Sequence, residues 1–290
     1  MTSKHPALFS LASRILFVLM AVCASSVPAS AEWVVTFEDN FDGPQYDRTK
    51  WKPSDIWSNQ TLGGNKEEQC YVPEALSQAD GILSITATKR AFPVGTCKGG
   101  VSLNYASGMI TTSGCMSWDR SPGCGTARPF SQAGGFFEMR AKLPPGRGLW
   151  PAFWLVPIDT SWPPEIDIIE ALGQEPNKLY LTYHYKDGGG QHQAQYGTFS
   201  GQDFTKSFNT FAVSWLPGKI IWFVNGREVH RVTGPQVSNK PMYILVNLAV
   251  GGIWPGSPDA STQLPATMQV DYVRVYQRTG GDADGDMPKQ

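Results

Sequence analysis

Apolar and polar residues alternate with period two in stretch after stretch of this chain, and no long stretch carries the 3.6-residue period of a helix. Leu83, Ile85 and Ala87 alternate with Ser84, Thr86 and Thr88. Phe137, Met139, Ala141 and Leu143 alternate with Glu138, Arg140 and Lys142. Side chains of an extended strand point to opposite faces in turn, so these patterns describe half-buried antiparallel strands. The punctuation agrees. Leu216-Pro217-Gly218-Lys219 separates residues 211–215 from 220–224, and Asn225-Gly226 follows directly. Proline presets φ for the first turn, and Asn-Gly accepts positive φ in the second. Many short strands broken by Gly and Pro predict an all-β fold, a two-sheet sandwich or jelly roll.

The ends of the chain read differently. Lys4, His5 and Arg14 precede an apolar run over 15–24, and Ala29-Ser30-Ala31 offers a small-residue cleavage site before Glu32. That order is a secretory signal over residues 1–31, and its apolar run is too short to span a bilayer. Its removal predicts an exported protein, extracellular or periplasmic, with no membrane association. About 259 of the 290 residues remain, enough for one large domain over 32–278. Residues 279–290 are Gly- and Asp-rich without apolar anchors, which predicts a flexible tail. Its Asp282-Ala283-Asp284-Gly285-Asp286 lacks the length and final bidentate acid of an EF-hand loop. Asn59-Gln60-Thr61 is a glycosylation sequon.

Without the signal, 22 basic residues face 25 acidic ones, and no basic patch is visible. Nucleic acid is excluded as a partner on that ground. Cys23 leaves with the signal, whereas Cys70, Cys97, Cys115 and Cys124 remain. An even number in an exported chain favours disulfides. Cys115 and Cys124 flank a Gly/Ser/Pro-containing loop, which would leave Cys70 with Cys97. The spacings fit no zinc site.

One segment carries chemistry. Glu165-Ile166-Asp167-Ile168-Ile169-Glu170 places three carboxylates in a β-branched run that reads as a strand. Glu165 and Asp167 share a face, and Glu170 joins them if one extra residue is inserted near Ile168–Ile169 as a β-bulge. The two Glu Cα atoms would then lie about 13 Å apart, near enough for their side chains to lean on one sugar. Two close carboxyls are the equipment of a retaining glycosidase, and mutual repulsion keeps one of them protonated. Trp150, Trp154 and Trp162 stand just before this strand and suit stacking on sugar rings. His184, in Tyr183-His184-Tyr185, would reach Asp167 or a sugar hydroxyl if its strand pairs with the acid strand.

These residues carry a resemblance. Residues 165–170 resemble the active-site motif of glycoside hydrolase family 16 in the bulged form of its laminarinase-like branch. Gly148-Leu149-Trp150-Pro151-Ala152-Phe153-Trp154 resembles the stretch before that motif. Asn65-Lys66-Glu67-Glu68-Gln69-Cys70-Tyr71 resembles an early sugar-binding motif, and Asn247-Leu248-Ala249-Val250-Gly251-Gly252 a late one. Val270-Asp271-Tyr272-Val273 begins a segment similar to the closing strand. The resemblance implies a jelly-roll sandwich with a concave cleft, Glu165 as nucleophile, Glu170 as acid/base and Asp167 between them. It implies Asn65 and Asn247 among the sugar-binding residues, and a monomeric endo-glycanase that needs no cofactor for catalysis. It also implies a structural calcium held by Asp271 and backbone oxygens near Glu38. Met109 and Phe136 stand where many relatives carry Arg, and residues 115–124 look like an insertion.

The substrate this implies is a β-1,3 or mixed β-1,3/1,4-glucan. A bacterial exopolysaccharide cut by the same machinery is the alternative within the family. Two other classes compete: a non-catalytic glycan-binding sandwich, and a sandwich that uses the acid strand to hold calcium. The first has no need of a paired Glu165 and Glu170. The second leaves the three Trp residues unexplained.

Overall fold

The computed structural model describes residues 1–3, 32–55, 60–97, 100–115, 128–280 and 287–288. The chain divides into two compact units, Met1–Ser30 and Ala31–Gln290. Residues 4–31 of the expected signal segment, Asn59, Cys124 and the Asp282–Asp286 run lie outside the described residues. Among the described residues no helix is long and apolar enough to cross a membrane.

The described residues of the second unit form sixteen strands. They are β1 (Glu32–Asp39), β2 (Gln69–Tyr71), β3 (Leu76–Ala79), β4 (Ile82–Phe92), β5 (Leu103–Ser107), β6 (Met109–Thr111), β7 (Gly135–Lys142) and β8 (Leu149–Pro157). Then come β9 (Glu165–Glu170), β10 (Lys178–Lys186), β11 (His192–Ser200), β12 (Asn209–Leu216), β13 (Lys219–Val224), β14 (Arg227–Thr233), β15 (Met242–Val250) and β16 (Ala266–Thr279).

They form two sheets. The larger has ten strands in the order β14-β13-β12-β7-β16-β4-β5-β2, with β1 on β16 and β3 on β4. The smaller has six in the order β11-β10-β9-β8-β15-β6. All pairings are antiparallel except β2 with β5. This is the expected jelly-roll sandwich. Sheet neighbours β7 and β12 pair across a long excursion of the chain, the non-local pairing that such a fold requires.

The period-two pattern decides which face each strand buries. Phe137, Met139 and Ala141 of β7 enter the space between the sheets, with Phe211, Val213 and Trp215 of β12. From the smaller sheet come Phe153, Leu155, Ile166, Ile169, Leu179, Leu181 and Tyr183. The hairpins close as the turn residues demand. Leu216 pairs with Lys219 across Pro217-Gly218, where Gly218 has φ +70°. Val224 pairs with Arg227 across Asn225 (φ 50°) and Gly226 (φ 73°), both left-handed as a type I′ turn requires.

Two expectations need correction. Strand β16 runs through Thr279, which pairs with Glu32, so the ladder passes the expected domain end at 278. The tail also has an apolar anchor. Met287 packs on the outer face of the larger sheet against a cluster of Phe136, Ala212, Ile221 and Phe223.

Cys70 and Cys97 form a disulfide across 27 residues. Cys115 is also disulfide-bonded. The Cys70–Cys97 link ties the β2 region to the loop after β4 beside a small core of Val72, Ala75, Phe92, Leu103 and Ala106. Removing it frees a loop of that length in the unfolded chain. Cys97→Ser is therefore expected to lower the unfolding free energy by about 3–4 kcal/mol in denaturant titrations of the oxidised protein. A loss below about 1 kcal/mol would contradict that account.

Candidate active site

The acid strand carries the bulge that its sequence demanded. Glu170 pairs with Tyr180 of β10, and Asp167 pairs with Thr182, so three steps on β9 match two on β10. On the other side Ile169 pairs with Phe153 and Asp167 with Trp154, which makes Ile168 the extra residue. Ile166, Ile168 and Ile169 are all buried in the main core, and Glu165, Asp167 and Glu170 line one pocket on the opposite face. A bulge interrupts the ladder and leaves backbone groups to be satisfied elsewhere. Trp222 of β13 crosses from the larger sheet and donates its Nε1–H to the backbone carbonyl of Asp167 at 2.8 Å.

Glu165 and Glu170 are each held by a neutral donor. Trp162 Nε1, in the loop before β9, donates to Glu165 Oε2 at 2.7 Å. Trp150 Nε1 donates to Glu170 Oε1 at 3.0 Å. Trp154 Nε1 donates to Asn247 Oδ1 at 2.7 Å, and Asn247 Nδ2 donates to Tyr71 Oη at 3.0 Å. Thus the three indoles expected as stacking platforms also hold polar groups of the site. Trp162 alone among them is well exposed, at 51%. Asn65 and Asn247 both line the pocket with the acids. Strand β10 does pair with β9, and His184 Nε2 lies 3.3 Å from Asp167 Oδ2 and 3.9 Å from Glu165 Oε1.

Several residues of the site had no role from sequence. Glu67 is buried, lines the pocket and accepts hydrogen bonds from Asn65 Nδ2 (3.0 Å), Gln69 Nε2 (2.6 Å) and Tyr71 Oη (3.3 Å). It sits inside the early motif, and its burial with a ring of donors was the missing signal. Trp254 packs edge-on against Trp150 and Tyr180. His192 contacts His184, and no local pattern marks it.

The two sites of replaced Arg separate in space. Met109 is buried with Tyr71, Tyr243 and Leu245, and Trp154 packs on that cluster. Phe136 is buried on the outer face of the larger sheet, so it does not bear on the cleft.

The expected calcium ligands are also engaged. Asp271 is ion-paired with Arg140, and Glu38 Oε1 with Arg274 Nε at 3.0 Å. The Glu38 backbone carbonyl accepts from Lys50 Nζ at 2.7 Å. Calcium takes six to eight oxygens at once, and here each oxygen named for it faces a protein cation. This donor set does not fit the ion. In the cleft, Glu165, Asp167 and His184 offer three ligand atoms within 4.8 Å of one another, one of them a nitrogen, which does not suit calcium either.

Burial and crowding set the protonation. Burial pushes Glu170 well above the usual carboxylate range, and the charges of Asp167 and Glu165 add to that. Burial, then the charge of Asp167, pushes Glu165 up to about 8. Asp167 is raised by burial too, and His184 is lowered by burial. Three acids this close cannot all ionise. Glu165 and Asp167 titrate as a pair with one proton between them. The hydrogen bond between them raises Glu165 and lowers Asp167, so in the resting site the shared proton lies on Glu165 and the charge on Asp167. Glu170 keeps its own proton. Two carboxylic acids and the carboxylate between them then face a common pocket.

The class defined by this fold and site is a jelly-roll sandwich with paired carboxyls on a bulged strand of an aromatic cleft. The comparisons agree. The sequence model of glycosyl hydrolases family 16 matches residues 76–274, more than half of the chain, and the chain belongs to that family. An endo-1,3-1,4-beta-glycanase of Rhizobium meliloti (EglC) is 36% identical over 256 residues. That match covers 83% of this chain and 51% of the relative, so the chain spans about half the length of this relative. A beta-glucanase of Rhodothermus marinus is 30% identical over 84% of this chain and 85% of its own length. The solved endo-beta-1,3-glucanase of Pyrococcus furiosus superposes with a TM-score of 0.71 at 34% identity, over 86% of this chain and 96% of its own.

The raised acids make a stability prediction. An acid whose folded pKa lies above its unfolded value holds more protons when folded, so its contribution is most favourable at low pH. That contribution is lost as pH rises from the ordinary 4.5 of Glu toward about 8. Glu165→Gln removes the penalty of ionising the buried group. Its melting temperature is expected to exceed wild type by about 2–4 °C at pH 8, and to match it near pH 4. A difference equal at both pH values would refute the assignment.

Proposed function

We propose that the protein is an exported endo-acting β-glycanase that cuts β-1,3 or mixed β-1,3/1,4-glucan with retention of configuration. The observation that carries this reading is the pair Glu165 and Glu170, on one face of a bulged strand, each bound by an indole N–H. Family membership and the printed activities of the relatives support it. A lectin on this sandwich would have no use for two buried acids facing one cleft.

The mechanism follows from the charges. Glu165 passes the shared proton to Asp167, and its carboxylate, steadied by the Trp162 N–H, attacks the anomeric carbon and forms a glycosyl ester as the bond to the departing sugar breaks. Glu170 gives its proton to the departing glycosidic oxygen. With the first product gone, the deprotonated Glu170 takes a proton from water, which attacks the ester and releases the sugar with its original configuration. Asp167 steers the proton of the pair and stays unbonded to sugar. Trp150, Trp154 and Trp162 supply ring faces for the chain of sugars. Asn65, Asn247 and Glu67 supply groups for its hydroxyls.

Two experiments test this. Glu165→Gln should lower kcat on laminarin and on mixed-linkage β-glucan by about a thousandfold or more while glycan binding persists. Glu170→Ala should be slow but partly restored by azide or by an aryl glycoside with a good leaving group. A Glu165→Gln enzyme with a tenth of wild-type rate would sink the nucleophile assignment.

Product analysis is separate. Proton NMR before mutarotation should show a new reducing end in the β configuration, and viscosity should fall long before many ends accumulate. Initial α-anomer would overturn retention. Activity confined to agarose or carrageenan would overturn the substrate class alone.

A further inference from the structure

We propose that His192 is a positioning residue for the reaction. In this role it donates a hydrogen bond that fixes the tautomer of His184 and so aims the His184 Nε2 proton at Asp167. The inference rests on the catalytic reading of Glu165, Asp167 and Glu170 given above.

The geometry is a relay in a line. His192 opens β11, across the hairpin from β10, where Lys186 is its partner in register. Its Nε2 lies 2.9 Å from His184 Nδ1. The two rings stack, with centroids 5.1 Å apart and planes 27° from parallel. On the far side of His184, Nε2 stands 3.3 Å from Asp167 Oδ2. That oxygen is buried and accepts no hydrogen bond of good geometry. A buried carboxyl oxygen left without a donor costs free energy, so a proton on His184 Nε2 is the arrangement the site needs.

A neutral imidazole carries one proton, and the partner of one nitrogen decides where it sits. Burial lowers the pKa of His184, so the neutral ring is favoured. If Nδ1 carried that proton, Nε2 would turn a lone pair toward Asp167 and repel it. If Nδ1 accepts from His192 Nε2–H, the proton must lie on Nε2 and face Asp167. His192 is exposed, whereas His184 is partly buried. Trp162 covers the assembly. Its ring lies 4.8 Å from that of His192 and 6.1 Å from that of His184, while its Nε1 holds Glu165. The other groups facing the pair are Glu165 on β9, Tyr196 on β11 at 6.4 Å from His184, and Lys186 on β10. None of these sits at hydrogen-bond distance from His184 Nδ1. Orienting Asp167 in turn governs which member of the Glu165–Asp167 pair holds the shared proton.

The test uses the full protein and two variants at an exposed position. His192→Leu removes the donor, and His192→Gln keeps an N–H that can reach His184 Nδ1. Nitrogen-15 NMR of the imidazoles reads the tautomer without any turnover. In wild type and in His192→Gln, His184 should be protonated on Nε2 at neutral pH. In His192→Leu the Nδ1–H tautomer should appear. On the proposed glucan substrates, His192→Leu should lose about tenfold in kcat with KM within about twofold, and His192→Gln should stay within about twofold of wild type. An unchanged His184 tautomer in His192→Leu overturns the inference, even if activity falls, and so does His192→Gln behaving like His192→Leu. An active Glu165→Gln enzyme would instead overturn the catalytic reading, and the tautomer would still report on the hydrogen bond.

Discussion

The site depends on one extra residue in β9. Without Ile168 as the bulged position, Glu170 would point into the core and an isoleucine would point into the cleft. The bulge interrupts hydrogen bonding, and the indole of Trp222 reaches across the sandwich to the carbonyl of Asp167. A single contact between the two sheets therefore supports the strand distortion on which the catalytic arrangement rests. It also explains why a bulky, fully buried Trp stands on β13, where an aliphatic residue would fill the core equally well but offer no donor.

The cleft is lined by donors that carry no charge. Indole N–H groups hold Glu165 and Glu170, and amides hold Glu67. A cation in their place would pull these acids down and ionise all of them. Neutral donors satisfy the oxygens while leaving burial and mutual repulsion to raise the pKa values, which keeps one acid protonated for leaving-group chemistry. On the larger sheet Arg140 and Arg274 pair with Asp271 and Glu38, away from the cleft.

The aromatic side chains have two duties in this arrangement. Trp162 binds Glu165 through its edge and lies over His184 and His192 with its ring. Trp150 binds Glu170 and meets Trp254 edge-on. A substitution at either position removes a hydrogen bond to one of the paired carboxyls along with an aromatic face of the cleft, so loss of activity there would not by itself report on stacking.

The sequence by itself determined the fold class, the strand faces and the identity of the acids. Period-two alternation is a local property, and Leu83, Ile85, Phe137 and Met139 went to the core as their spacing required. The bulge was also legible, because three acids and three isoleucines in six residues can be sorted onto two faces only by one insertion. Other features depended on chain segments far apart in sequence. Strand β7 borders β12 and β16, which put Phe136 on the outer face and brought Arg140 to Asp271. Tyr71 meets Asn247 across 176 residues, and Trp222 meets Asp167 across 55. His192 meets His184 only through the register of one hairpin. Such contacts follow from sheet order and register, which are set by how all the strands pack together, and no window of sequence contains that information.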